Sequence, residues 1–96
     1  MIIEQTTYRL RAGKSAEFEK RSQERLQSLR RARGFVTQIV MRNADDPAEY
    51  RMELRWANRE YRDRYQAQEE SLGRGPHQAI AALLEGPPVR SLFEFV

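Results

Sequence analysis

Residues 49–56 have the sequence EYRMELRW, in which apolar and charged side chains alternate without a break. A period of two predicts a β-strand with one apolar face and one charged face. The strand ends at Trp56, the single tryptophan of the chain, and residues 57–61 (ANREY) follow it. Asn58 suits a helix N-cap, and Glu60 suits the first helical turn because its charge lies near the positive end of the helix dipole. The sequence therefore predicts a strand that leads directly into a helix.

The residues on either side of this corner predict the rest of the fold. We expect strands over residues 2–10, 35–42, 49–56 and 89–96, and helices from a Ser15 cap to before Gly34, over 58–70 and over 76–85. Turn sequences at 11–14, 43–47 and 71–76 separate these elements. The order β-α-β-β-α-(α)-β is the ferredoxin-like βαββαβ arrangement, so the predicted fold class is α+β, with a four-stranded antiparallel sheet and helices on one face. Residues 1–96 would form a single domain.

The alternation in each strand also predicts which side chains face the helices. That face would carry Ile2, Glu4, Thr6, Tyr8, Leu10, Phe35, Thr37, Ile39, Met41, Tyr50, Met52, Leu54, Trp56, Val89, Ser91, Phe93 and Phe95. The opposite face would combine Ile, Val and Leu with charges of both signs, among them Arg51, Glu53 and Arg55. Such a face is too apolar to remain in water, and a chain this short leaves much of a sheet uncovered. We therefore expect a homodimer that stacks the two sheets and pairs these charges.

The composition excludes several classes of protein. There are no cysteines, so disulfides, thiolate nucleophiles and sulfur-ligated metals are excluded. His77 is the only histidine, so neither a Ser-His-Asp site nor a metal-histidine cluster is expected. Residues 73–75 (GRG) lack the pattern of a phosphate-binding loop. The N-terminus is unlike a signal peptide and no long apolar run occurs, which predicts a cytoplasmic protein without membrane contact.

The net charge of +3 and the pI of about 9.7 raise RNA binding as an alternative. Several charges in the predicted helices, however, pair at i,i+4 spacing, such as Glu17 with Arg21 and Glu60 with Arg64. RNA recognition by a ferredoxin-like sheet also needs aromatic side chains on its open face, for stacking with bases. The predicted open face carries none, so we expect no nucleic-acid partner.

Polar side chains on the predicted helix-side face suggest a small-molecule site. An apolar cavity with a few convergent polar groups is typical of such sites. The candidates are Glu4, Thr6, Tyr8, Thr37 and Ser91, near Trp56, Tyr61, Tyr65 and His77. The alternative is structural: the aromatic residues would be core residues with a solvated tip, His77 a surface or capping residue, and Glu4 a strand-end residue that reaches water.

Two stretches carry a family resemblance. Residues 8–18 (YRLRAGKSAEF) have a strand, a Gly-Lys turn and a helix start, and residues 46–66 (DPAEYRMELRWANREYRDRYQ) have an Asp-Pro turn, a strand ending in Trp and a following helix. They resemble the antibiotic biosynthesis monooxygenase-like family of dimeric α+β barrels. Gly34-Phe35, His77 and residues 87–95 (PPVRSLFEF) are similar to its remaining elements. Residues 2–18 also resemble the NIPSNAP-type branch of the same superfamily.

Where members of this family are enzymes, the resemblance implies oxygenation without flavin or metal, and hence no cofactor. A phenol, quinol or anthrone would be deprotonated in a dry pocket, and its anion would reduce O₂ directly. His77 or Glu4 would be the base, Tyr65 would assist by hydrogen bonding, and Trp56 would form an aromatic wall. The expected catalytic residues are His77, Glu4 and Tyr65, and the expected substrate-binding residues are Thr6, Tyr8, Thr37, Trp56 and Tyr61.

Two other functions stay open at this point. Haem-degrading members of the superfamily use an Asn, a Trp and a His ligand, but the corresponding positions carry Thr6 and Tyr65, and only His77 lies near the place of the ligand. The fold also serves as a ligand-binding or dimerisation module without activity. A closed core beside Trp56 would favour such a module, whereas a ligand pocket there would favour an enzyme.

Overall fold

The structure, a computed structural model, describes residues 1–75 and 78–96. Its elements are β1 (Ile2–Arg9), α1 (Ser15–Leu29), β2 (Phe35–Asn43), β3 (Asp46–Trp56), α2 (Arg59–Ser71), a 3₁₀ turn (Ala81–Leu83) and β4 (Val89–Glu94). The strands form one four-stranded sheet in the order β2-β3-β1-β4, and neighbouring strands are antiparallel. The helices cover one face of the sheet. This confirms the predicted ferredoxin-like α+β fold.

The corner between β3 and α2 forms as the sequence predicts. Asn58 is the N-cap of α2, and its Oδ1 accepts a hydrogen bond from the backbone N–H of Tyr61 at 3.0 Å. Ala57 N donates to the carbonyl oxygen of Gly34 at 2.7 Å, which ties the corner to the start of β2. Gly34 has a φ of +84°, and a Cβ there would lie 2.3 Å from the ring of Tyr61. Only glycine therefore fits at this point.

Several element boundaries differ from the prediction. Ser15 is the first helical residue of α1 and not its cap, since Lys14 holds the cap position without a side-chain bond. β3 begins at Asp46, because Asn43 Oδ1 accepts a hydrogen bond from Asp45 N at 2.9 Å and makes the turn tighter than expected. The helix predicted over 76–85 shrinks to a 3₁₀ turn within its described part. Leu84 is extended there and pairs with Leu10, which ends the turn.

Aromatic rings form the centre of the core between the sheet and the helices. Phe18 of α1 lies 5.1 Å from the ring of Tyr8 and 5.0 Å from that of Tyr50, measured between ring centroids. At the other end of the sheet, the ring of Trp56 lies 5.3 Å from that of Tyr65. Burial of one such side chain stabilises the fold by roughly 1.5–3 kcal/mol. These contacts fasten both helices to the sheet.

The register confirms the predicted faces of β1 and β3 but not that of β2. Phe35 lies opposite Trp56, whereas Thr37 lies opposite Arg55, so a bulge between them adds one residue and reverses the alternation. Gln38 and Val40 now face the helices, and Gln38 Nε2 donates to the carbonyl oxygen of Ser22 at 3.2 Å. The predicted helix-side placement of Thr37, Ile39 and Met41 is therefore wrong. All three lie on the open face.

The predicted face of β4 is also wrong. Leu92 pairs with Glu4 and packs against the core, so Val89, Ser91 and Phe93 lie on the open face. Residues 89–96 (VRSLFEFV) have apolar side chains at both parities, and alternation alone cannot choose between them. The open face thus has an aromatic residue, Phe93, so the prediction that this face has no aromatic side chain for stacking with RNA bases is wrong.

Candidate functional site

A cavity of about 450 Å³ lies between the sheet, α1 and the segment that follows α2. This volume is within the range of small-molecule sites. Its lining includes Tyr8 and Met52 from the sheet, Ser22 and Arg25 from α1, and Gly75 and Ile80 from the segment after α2. Tyr8 is the one residue of the predicted site that the described part of the chain places in this lining. The position of the cavity agrees with the expected sheet-helix site, but most of its residues do not.

Tyr8 is almost fully buried beside this cavity. Burial raises the pKa of its hydroxyl above the ordinary value, while the positive charge of Arg25 and a side-chain hydrogen bond with Thr6 act in the opposite direction. The net shift is upward, so the phenol is neutral at pH 7 and can donate a hydrogen bond. Thr6 is buried and contacts the site through Tyr8, not through the cavity itself.

Three arginines line the cavity, and two of them form ion pairs. Arg21 Nη2 lies 3.1 Å from Glu17 Oε1, and Arg74 Nε lies 3.1 Å from Glu69 Oε2. Arg25 forms no ion pair with any residue that the structure describes. Its Nη1 instead lies 3.9 Å from the sulfur of Met52.

Glu4 belongs to a buried ion pair. Its Oε1 accepts a hydrogen bond from Nε of Arg62 at 2.7 Å, and the two side chains are only 6% and 9% exposed. Nη1 of Arg62 also donates to Asp63 at 2.9 Å. Burial alone lowers the pKa of Arg62, but the hydrogen bonds to Asp63 and Glu4 outweigh it and raise that pKa overall. Glu4 does not line the 450 Å³ cavity, and a carboxylate bound to an arginine is a weak candidate for a base.

The aromatic residues of the predicted site lie elsewhere. Trp56 borders a space of only about 10 Å³, together with Glu4, Arg25 and Arg62, which is too small for an aromatic ligand. Tyr65 borders the same space and also a groove of about 440 Å³ between α1 and α2, separate from the cavity at Tyr8. The hydroxyl oxygens of Tyr65 and Ser28 are 3.2 Å apart, within hydrogen-bond distance. Nε1 of Trp56 and Nη2 of Arg62 are buried without a partner among the described residues. The expectation that Trp56 forms a wall of the pocket has no support in this geometry.

Tyr61 acts as a packing residue of the corner. Its ring lies against Gly34, and the guanidinium carbons of Arg33 and Arg64 are 5.6 and 5.9 Å from the centroid of the ring. Thr37 is on the other face of the sheet, away from the 450 Å³ cavity, so this geometry gives its predicted contact with substrate no support. His77, the predicted base, lies outside the described residues.

Arg25 is the site residue that sequence reasoning missed. It looks like one of many charges on a helix surface, but residues 21 and 29, at i−4 and i+4, are Arg and Leu. The absence of an opposite charge at helical spacing was the available signal. In the described part of the chain, no group of three or more His, Asp or Glu side chains could hold a metal ion. Nor does any described helix combine the length and apolar character needed to cross a membrane.

The fold and the cavity together define a small ferredoxin-like α+β protein with a pocket between its sheet, its first helix and the segment after α2. The family model described as antibiotic biosynthesis monooxygenase matches residues 1–73. The chain therefore belongs to the antibiotic biosynthesis monooxygenase family, as the sequence resemblance implied. A search of curated protein sequences found no match.

Solved structures share the whole fold at low sequence identity. SnoaB from Streptomyces nogalater, described as a cofactor-independent oxygenase, is 23% identical with a TM-score of 0.84, over 99% of this chain and 92% of that one. Rv0793 from Mycobacterium tuberculosis is 14% identical with a TM-score of 0.82, over 99% of this chain and 94% of that one. A conserved protein from Methanosarcina mazei is 12% identical with a TM-score of 0.83, over 96% and 89%.

Proposed function

We propose that this protein is a monooxygenase that oxidises an electron-rich aromatic small molecule without a flavin or a metal. Membership of the antibiotic biosynthesis monooxygenase family supports the class of reaction. The similarity to SnoaB, a cofactor-independent oxygenase, points the same way. The observation that carries the proposal is the 450 Å³ cavity, which has a neutral phenol, Tyr8, beside the apolar side chains of Met52 and Ile80.

The proposed reaction needs a base, an apolar enclosure and O₂. A base removes a proton from the phenol, quinol or anthrone, and the anion transfers electrons to O₂ as a C–O bond forms. The resulting hydroperoxide then loses its C–H proton and its O–O bond breaks, which gives a C=O group and water. For an anthrone, R₂CH₂ + O₂ gives R₂C=O + H₂O, so the substrate supplies all four electrons. Exclusion of water protects the anion from reprotonation.

The geometry supports a role for Tyr8 as hydrogen-bond donor to the oxygen of the substrate, with Thr6 orienting its hydroxyl. His77 stays the proposed base, because Glu4 is bound to Arg62 and lies away from the cavity. Taken by itself, the narrow space beside Trp56 would favour the alternative, a ligand-binding or dimerisation module without activity. The larger cavity at Tyr8 outweighs it, since a closed module needs no such volume.

Oxygen consumption by the pure protein tests the proposal directly, with a panel of quinols and anthrones as substrates. We expect uptake of one O₂ per product carbonyl formed, in the presence of a metal chelator and without added flavin. Loss of uptake in His77→Ala would support the base assignment. Absence of uptake with the whole panel, or uptake that the chelator abolishes, would contradict the proposed reaction.

We also propose that the protein forms a homodimer through the open face of the sheet. Phe93, Ile39 and Met41 on this face are 51%, 38% and 39% exposed, and monomers rarely leave such a group of large apolar side chains in water. Arg55 Nε and Glu53 Oε1 are 2.8 Å apart within β3, so part of the charge pairing expected across the interface is already present inside one chain. Burial of this face in a dimer would also protect that ion pair from water.

A further inference from the structure

We propose that Arg25 determines substrate specificity, by binding a carboxylate carried by the aromatic substrate. The inference rests on the proposed function in one respect, namely that the 450 Å³ cavity is the substrate site. It adds the chemical class of the ligand, an aromatic acid, and the residue that recognises it.

The distribution of charge in the cavity singles out Arg25. The other two arginines of the lining, Arg21 and Arg74, each bind a glutamate from their own surroundings. Arg25 has no carboxylate within ion-pair distance among the described residues, and its Nη1 lies 3.9 Å from the weakly accepting sulfur of Met52. Glu24 also lines the cavity, but it is exposed and makes no ion pair in the described chain. The charge of Arg25 is therefore available to a ligand.

The position of Arg25 is suited to an anion inside the cavity. The side chain is half-buried, so its guanidinium is partly removed from water, and an uncompensated charge in such a place costs free energy. A ligand carboxylate would compensate it with two parallel N–H···O bonds, which the fork geometry of arginine favours. Tyr8 lies close enough to Arg25 for that positive charge to act on the pKa of its hydroxyl. The neutral hydroxyl could donate a third hydrogen bond to the same carboxylate.

Two apolar residues of the lining suit the aromatic part of the ligand. Met52 and Ile80 are buried apolar residues that border the same cavity. A planar hydrocarbon ring system would cover both, while its carboxylate reaches the α1 side of the cavity. The combination of one available cation with the apolar surface of Met52 and Ile80 favours a monoanionic aromatic acid over a phosphate or a sugar.

Calorimetric binding of two matched probes, 2-naphthoate and 2-naphthamide, tests the inference without any turnover. The probes have the same shape and differ in charge. We expect wild-type protein to bind 2-naphthoate at least about tenfold more tightly than the amide, a difference of about 1.4 kcal/mol. Arg25→Gln should remove the preference, and Arg25→Lys should keep part of it because it keeps the charge but loses the fork. Arg21→Gln is the matched control: it lines the same cavity but is already paired with Glu17, so the preference should remain.

Several outcomes would overturn the inference. They are equal affinity of wild-type protein for the two probes, binding of neither probe at millimolar concentration, and a preference that survives in Arg25→Gln. Circular dichroism and thermal unfolding of each variant establish that it is folded. Because no oxygen is consumed in this experiment, a failure of the oxygenase assay would contradict the proposed reaction and leave the carboxylate preference standing. Oxygen uptake by a protein that binds 2-naphthoate and 2-naphthamide equally well would support the proposed reaction and contradict the carboxylate preference.

Discussion

Nε of Arg62 on α2 lies 2.7 Å from Oε1 of Glu4 on β1, and both side chains are more than nine-tenths covered. This ion pair crosses from the helix layer to a central strand of the sheet, since β1 lies between β3 and β4. It accounts for a charged residue on the buried face of β1. Glu4 therefore has a structural partner, whatever its effect on chemistry.

Removal of one partner of this pair should destabilise the fold strongly. Glu4→Leu leaves Arg62 buried with only Asp63 as a partner, and we expect a loss of about 3 kcal/mol in the free energy of unfolding. The double variant Glu4→Leu/Arg62→Leu should recover much of that loss, because no uncompensated charge remains. Urea denaturation measures both. The single variant Arg62→Leu completes the comparison. If the double variant loses at least as much free energy of unfolding as the two single variants lose together, the pair has no such coupling.

The contact between Gly34 and Tyr61 gives a second prediction. Gly34→Ala must accept a φ of +84° and a Cβ placed 2.3 Å from the Tyr61 ring. Gly13→Ala is the matched control, since Gly13 has a φ of +76° and open space around it. The control should cost about 1–2 kcal/mol for the left-handed backbone, and Gly34→Ala should cost clearly more. Equal melting temperatures of the two variants would contradict the steric part of the argument.

The fold was predictable from the sequence because its main signals are local. The alternation in residues 49–56 and the Asn58 cap are each written in a few consecutive residues. The errors arise where a local pattern is ambiguous. A single extra residue before Thr37 reverses the face of β2, and β4 is apolar at both parities. Neither fact can be read from a pattern of period two.

The site was less predictable, because its position depends on packing between distant elements. Trp56 and Tyr65 are aromatic residues that the sequence suggests for a pocket, yet their ring centroids are 5.3 Å apart and leave a space of only about 10 Å³ beside Trp56. The cavity opens at the other end of β1, where Tyr8 meets Arg25 of α1. Arg25, an arginine on the surface of α1, lines the cavity only because of the orientation of α1 across the sheet. No sequence pattern within α1 predicts that orientation.

The raised pKa of Tyr8 predicts a pH dependence of stability. Because burial raises the pKa of this phenol in the folded protein, the unfolded chain loses the proton first, near pH 10. The neutral Tyr8 phenol therefore contributes its full share of the free energy of unfolding below about pH 10. That share is lost as the pH rises through the pKa that Tyr8 has in the folded protein. We expect Tyr8→Phe to weaken the decline in melting temperature above pH 10. Tyrosinate absorbance provides the check: the late-titrating fraction should be smaller in Tyr8→Phe. The pKa of Tyr50 is also raised by burial, so Tyr50→Phe should act similarly.

The apolar open face predicts a dimer that a single charge can dissociate. Phe93→Arg places a cation where the proposed interface needs an apolar contact, and we expect monomers at micromolar concentration by analytical ultracentrifugation. Leu72→Arg serves as the control, because Leu72 is equally exposed, at 55%, but lies at the end of α2. It should leave the dimer intact. A monomeric wild-type protein would contradict the proposed interface. So would a dimer that dissociates with Leu72→Arg but not with Phe93→Arg.

Obstruction of the cavity should slow the proposed oxygenase reaction without unfolding the protein. Ala79 is exposed and lines the 450 Å³ cavity, whereas Ala82 is exposed and does not. Surface substitutions of this kind usually change stability by no more than about 0.5 kcal/mol, so Ala79→Trp and Ala82→Trp should melt at similar temperatures. The indole at residue 79 would occupy space that an aromatic substrate needs. We therefore expect Ala79→Trp to lower kcat/KM for oxygen uptake at least about tenfold, which corresponds to about 1.4 kcal/mol in transition-state binding, while Ala82→Trp stays near wild type. Equal activity of the two variants would mean that substrate binds elsewhere in the molecule.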